Sequence, residues 1–127
     1  MDSRIVAVDH IHLESRPELV PDLLWFYGEL AALDIVGGEC LNPPLLRFRS
    51  ARRELRFHLT ERPAVDSLAA RVTILVPSLD EIRLALEERA MTFQTLTGMS
   101  WTDVRVETLD PVGHRVAFKR GWPFAPL

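Results

Sequence analysis

Three histidines and an uneven spread of arginines carry most of the chemistry legible in this chain of 127 residues. His10 and His12 stand two apart in Val6-Ala7-Val8-Asp9-His10-Ile11-His12-Leu13, and His58 lies in Leu55-Arg56-Phe57-His58-Leu59. Imidazole changes charge near neutral pH, so each ring can move a proton, and its neutral form is a common metal ligand. Arg47, Arg49, Arg52, Arg53 and Arg56 fall within ten positions, and Arg71, Arg105 and Arg115 follow. A guanidinium keeps its proton when buried and grips carboxylate or phosphate with two parallel hydrogen bonds. These residues point to proton transfer, metal ligation or the capture of a small anion.

The elements that must position them occur twice. The first half reads as a strand over Val6–Glu14, a helix over Glu18–Leu33, and two strands over Leu45–Ser50 and Glu54–Thr60. The second repeats the order over Arg71–Pro77, Leu79–Ala90, Asp103–Leu109 and His114–Arg120. Side chains on a strand point alternately to opposite faces. Leu46 and Phe48 therefore share one face and Arg47 and Arg49 the other, while Leu55, Phe57 and Leu59 oppose Arg56 and His58. Pro17 and Pro21 suit a first helical turn, whose amides lack intrahelical partners. Gly37-Gly38 is expected to end that unit. Ser78-Leu79-Asp80-Glu81 matches a capping box, and Asp110-Pro111-Val112-Gly113 a turn between strands. Laid together, the halves put His10 opposite Arg71 and His58 opposite Ala117.

Composition excludes several classes. At 47% hydrophobic and 26% charged the chain is globular, and a net charge of −3 supplies no positive field for nucleic acid or an anionic membrane. One cysteine, Cys40, forms no intrachain disulfide, and the N-terminus shows no signal-peptide pattern, so the expectation is cytoplasmic, with no membrane partner. Cys40 has no activating neighbours and is read as inert.

Alternation leaves each sheet with an apolar face towards a helix and a polar face opposite. If the two polar faces meet, they enclose a cup showing His10, His12, Arg47, Arg49, Arg56, His58, Arg71, Thr73, Asp103, Arg105, Glu107, Arg115 and Lys119. Trp101, beside Thr97-Gly98-Met99-Ser100, is placed to close over a ligand. Unpaired cations in a dry interior are prohibitively costly. The surplus of arginine therefore predicts a solvated cavity or a bound anion, such as an organic acid or a phosphorylated metabolite.

Three segments carry a family resemblance: Val8-Asp9-His10-Ile11-His12-Leu13, Trp25-Phe26-Tyr27-Gly28-Glu29-Leu30 and Asp110-Pro111-Val112-Gly113-His114-Arg115-Val116-Ala117-Phe118. In order and spacing they resemble the vicinal oxygen chelate superfamily, which includes glyoxalase I, bleomycin-resistance proteins and extradiol dioxygenases. The resemblance implies an α+β fold: two βαβββ modules forming a cupped mixed sheet with helices on the outer face, often as a homodimer. It implies one domain over residues 1–127, with module one at about 4–62 and module two at about 68–121. The superfamily's metal enzymes place four ligands at corresponding strand positions, which here carry His10, His58, Arg71 and Ala117. Arginine and alanine cannot ligate, and two histidines fall short of the three protein ligands typical of a catalytic site.

The reading is therefore a protein with a partly lost metal site and no cofactor. It binds a small anionic molecule through His12, Arg47, Arg49, Arg56, Arg71, Trp101, Arg105, Glu107 and Arg115. His10 and His58 are its candidate acid–base residues, suited to lyase or isomerase chemistry. The alternative is a metal-dependent glyoxalase-like lyase or extradiol-type dioxygenase holding Fe, Zn, Ni or Mn on His10, His58 and Glu107. Sequestration of cationic antibiotics is disfavoured, because it calls for an acidic groove.

Overall fold

The computed structural model describes residues 10–36, 45–50, 53–65, 71–99 and 103–121; the side chains of His10 and Arg71, and all of Trp101, Cys40 and Gly37-Gly38, lie outside the described set. The chain divides into two compact units, residues 1–65 and 66–127. No helix among the described residues is long and apolar enough to cross a membrane.

The first unit runs β1 (His10–Ser15), a helical run α1, β2 (Asp34–Val36), β3 (Leu45–Ser50) and β4 (Arg53–Leu59). Its sheet has the order β1-β4-β3-β2. β1 and β4 are parallel, and the other pairings antiparallel. α1 is a 3₁₀ turn at Pro17–Leu19, an α-helical turn at Val20–Leu23 and a π-helix at Leu24–Leu30. The wider π turn lets the consecutive Phe26 and Tyr27 both be fully buried. Tyr27 then packs on Phe48 and Phe57, with ring centroids 5.3 and 5.2 Å away. These rings, with Leu13, Leu23, Leu46 and Leu55, form the core of the unit.

The second unit runs β5 (Arg71–Val76), α2 (Leu79–Glu88), β6 (Phe93–Thr97), β7 (Val104–Leu109) and β8 (Arg115–Arg120), in the sheet order β5-β8-β7-β6. The Ser78 hydroxyl accepts the Glu81 amide at 3.3 Å and caps α2, as the sequence pattern predicts. Ile82, Leu86, Val72, Ile74, Val106, Val116 and Phe118 make an aliphatic core with one ring. Both sheets are mixed and both units read βαβββ, so the fold is α+β with two repeated modules.

Three details differ from the sequence reading. Each unit has a fourth strand beyond the three that alternation predicts, β2 and β6. β2 is only three residues long, and β6 (Phe-Gln-Thr-Leu-Thr) has too few apolar side chains to show a strong alternation. α1 ends earlier than Leu33, through Ala32 at φ 59°; α2 ends likewise through Ala90 at φ 56°. Finally, the internal alignment shifts. The Thr60 amide bonds the Ser15 carbonyl, and the Gly121 amide bonds the Val76 carbonyl, which makes Ser15 equivalent to Val76 and Thr60 to Gly121. His10 remains opposite Arg71, but His58 now corresponds to Lys119, and Arg56 to Ala117.

Candidate functional site

Period-two alternation puts His12, Glu14, Glu54, Arg56, His58, Arg47 and Arg49 on the face of the first sheet away from its core, since Leu13, Leu46, Phe48, Leu55 and Phe57 on the other face are buried. Register then decides which of them meet. β1 and β4 run side by side with His12 opposite Arg56 and Glu14 opposite His58. His58 leans one row towards His12, and His12 Nδ1 lies 2.9 Å from His58 Nε2, with the rings stacked 5.2 Å apart. One ring must donate and the other accept, so the contact holds for two neutral rings or for a pair carrying one extra proton. A second proton would place a donor against a donor and open it.

Beside this pair, one carboxylate gathers three guanidiniums. Arg47 gives Glu54 a two-point contact, Nε to Oε1 at 3.0 Å and Nη2 to Oε2 at 2.8 Å. Arg56 Nε donates to Oε1 at 2.9 Å, and Arg49 Nη2 to Oε2 at 3.1 Å. The Arg47 hydrogen bonds, then that of Arg56, hold the Glu54 carboxyl well below the usual carboxylate range. Glu54 in turn pushes the Arg47 guanidinium up. The Glu54 side chain is 11% exposed, whereas Arg47, Arg56 and Arg49 are 27%, 28% and 47% exposed, so the acid is covered and the cations face outward. Two further acids share this face. Glu14 accepts the Ala64 amide at 2.8 Å, and Asp34 stands opposite Arg49 in β2.

The second unit's corresponding face is organised around Glu107, itself 8% exposed. Arg105 Nε lies 3.0 Å from its Oε2 and Arg115 Nη2 3.2 Å from its Oε1. Lys119 faces Asp103 at 3.7 Å. Ala117 is buried between Thr73 and Glu107.

Of the predicted site residues, the structure thus brings together His12, His58, Arg47, Arg49 and Arg56 in one unit, and Arg105, Glu107 and Arg115 in the other. His10 and Arg71 occupy strand positions opposite Glu54 and Arg115. Trp101 lies outside the described residues. Glu54 was missing from the sequence reading, although its spacing with Arg56 and His58 places it on their face. Two open depressions, of about 450 and 510 Å³, lie elsewhere, one lined by Pro77, Ser78, Asp80, Arg83 and Arg120, the other by Arg16, Glu18, Glu61 and Arg62.

A divalent metal fits these residues poorly. Of the four strand positions that the resemblance nominates, Arg71 and Ala117 offer no donor, and the first unit's counterpart of Ala117 is Arg56 rather than His58. Among the described residues, no three His, Cys, Asp or Glu side chains gather as a metal-binding group. Glu107, the nominated third ligand, is held by two guanidiniums.

No family model matches the sequence, and no curated protein matches it significantly. Solved structures do. A glyoxalase family protein from Bacillus anthracis superposes with a TM-score of 0.72 at 17% identity, covering 91% of this chain and 94% of its own. The fosfomycin resistance protein FosX from Listeria monocytogenes gives 0.69 at 10% identity, over 89% and 91% of the two chains. Lactoylglutathione lyase from Agrobacterium tumefaciens gives 0.62 at 16% identity, over 88% and 91%. These are vicinal oxygen chelate superfamily structures, and the fold of this chain is theirs.

Proposed function

We propose that this protein binds a small anionic metabolite, a carboxylate or a phosphate ester, at the arginine- and histidine-bearing face of its first sheet, in a fold whose metal site is partly lost. The observation that carries the reading is the set of three guanidiniums held on Glu54 beside the His12–His58 pair. Arg49 and Arg56 each use one N–H on Glu54 and keep the rest of a rigid donor array for a ligand. Glu54 acts as a positioning residue, fixing the side chains of the cations. The imidazole pair stands in the adjoining row and can pass a proton to or from a bound acid, which suits lyase or isomerase chemistry.

Calorimetric titration with a panel of small carboxylates and phosphate esters tests this. Binding of one or more of them, weakened at least about tenfold in Arg56→Ala, supports the reading. No binding of any member, even at millimolar concentration, overturns it.

The likeness to lactoylglutathione lyase favours a second reading, a metal-dependent lyase or dioxygenase using His10, His58 and Glu107. Elemental analysis separates the two. Stoichiometric Fe, Ni, Zn or Mn that survives dialysis and disappears in a His10→Ala, His58→Ala double variant would establish the second reading over the first.

A further inference from the structure

We propose that the polar face of the first sheet selects a phosphate monoester, whose two charges share one head group, over monoanions and over dicarboxylates; this rests on that face being an anion site. Three guanidiniums against one carboxylate leave the cluster of Arg47, Arg49, Arg56 and Glu54 with two positive charges. That count is fixed around neutral pH, because arginine keeps its proton and the hydrogen bonds of Arg47 and Arg56 hold Glu54 ionised. A monoanion compensates half of it and a dianion all of it.

The donors ask for more oxygens than a carboxylate has. Glu54 takes two N–H groups from Arg47 and one each from Arg49 and Arg56. A carboxylate offers about four acceptor sites, so Glu54 is full. Among the described residues, Arg49 and Arg56 have each committed one of their five N–H groups. Arg47 stands opposite Arg56 and Arg49 opposite Glu54, which makes Arg49 and Arg56 diagonal neighbours, roughly 7–8 Å apart at the backbone. Their guanidiniums nevertheless reach the two oxygens of a single carboxylate, so they converge. A phosphoryl head, with three terminal oxygens, can take donors from both at once.

The surroundings act against charges set far apart. Among the described residues, no further arginine or lysine shares this face to receive a remote carboxylate. Acids flank the cluster instead, Glu14 on β1 opposite His58 and Asp34 on β2 opposite Arg49. A dicarboxylate that extends beyond the cluster carries its second charge towards one of them, and like charges repel. A phosphate monoester keeps both charges over the guanidiniums.

Calorimetric titration of the full chain at pH 8 with methyl phosphate, dimethyl phosphate and succinate tests this, since a phosphate monoester carries two charges there. Methyl phosphate should bind at least about tenfold more tightly than either of the others. In an Arg49→Ala, Arg56→Ala double variant that keeps the wild-type circular dichroism, its lead over dimethyl phosphate should shrink to about threefold or less. Dimethyl phosphate or succinate binding as tightly as methyl phosphate to the wild type would overturn the selection of a monoester and leave the anion site standing. So would a full tenfold lead in the double variant, which would move the site away from these arginines. If none of the three binds while another carboxylate does, the monoester is likewise overturned; if no anion binds at all, the anion site falls with it.

Discussion

The two units repeat one backbone but invert its charges. In the first, Arg47 on β3 grips Glu54 on β4 across a diagonal; in the second, Glu107 on β7 grips Arg115 on β8 across the same diagonal. The acid and the base have exchanged strands while the ion pair has stayed. Around it the units diverge. Arg49 and Arg56 add to the pair in the first, where the second has Leu109 and Ala117. His12 and His58 meet in the first, where the second has Thr73 and Lys119. The comparison teaches that a diagonal ion pair is a property of the module, tolerant of either polarity, whereas the imidazole pair and the guanidinium cluster belong to one unit alone. The cores differ as well. The first unit interlocks the rings of Phe26, Tyr27, Phe48 and Phe57, and the second is chiefly Val, Ile and Leu.

The largest expected effects test whether the units are equivalent at the level of packing. Phe57 and Phe118 occupy the same place in the repeat, and both are fully buried. Phe57→Ala and Phe118→Ala should each cost about 3–5 kcal/mol in urea unfolding, and a cost below about 1 kcal/mol for either would break the equivalence. Next comes a feature seen in the second unit, where the buried Asp110 carboxylate accepts the amides of Val112, Gly113 and His114, each at 2.9 Å. Asp110→Ala should cost about 2–3 kcal/mol, because it removes the acceptor that three turn amides share, although Gly113 keeps its bond to the Asp110 backbone carbonyl at 3.0 Å.

The polar clusters come third. Glu54→Gln should destabilise by about 1–3 kcal/mol at neutral pH, and Glu107→Gln by less, since Glu54 holds three guanidiniums and Glu107 two. The sign with pH follows from the depressed Glu54 carboxyl. Its contribution is fully present above the ordinary carboxylate value of about 4.3 and is lost as pH falls below it towards the folded-state value. Unfolding curves of wild type and Glu54→Gln should therefore converge in acid. A gap that widens there would remove Glu54 from the centre of the cluster. The smallest effects are gains. Ala32 and Ala90 end their helices in the left-handed region, which glycine occupies without strain. Ala32→Gly and Ala90→Gly should each raise stability by about 0.5–1 kcal/mol, and equal gains in thermal melts would extend the likeness of the units to their helix ends.

Much of this was legible in the residues. The strand over Leu45–Ser50 appears with the limits its alternation predicts, and the Ser78 cap and the Asp110 turn are where side-chain chemistry puts them. β2 and β6 were not legible, because Asp34–Val36 is too short to show a period and Phe93–Thr97 is mostly polar on both faces. The π character of α1 was hidden for a different reason. Its apolar residues fit helical spacing, and only packing against Phe48 and Phe57 shows that Phe26 and Tyr27 are buried together.

For the site, the amino-acid order by itself determined which face each side chain takes: histidines and arginines on one side of the first sheet, leucines and phenylalanines on the other. The period of a strand is local and needs no partner. Only the tertiary structure decided who stands beside whom. Sliding one strand past another by two residues leaves every face unchanged, so alternation is blind to that slip. Loop closure and core packing choose the register, and here they set His58 against His12 and seat three arginines on Glu54.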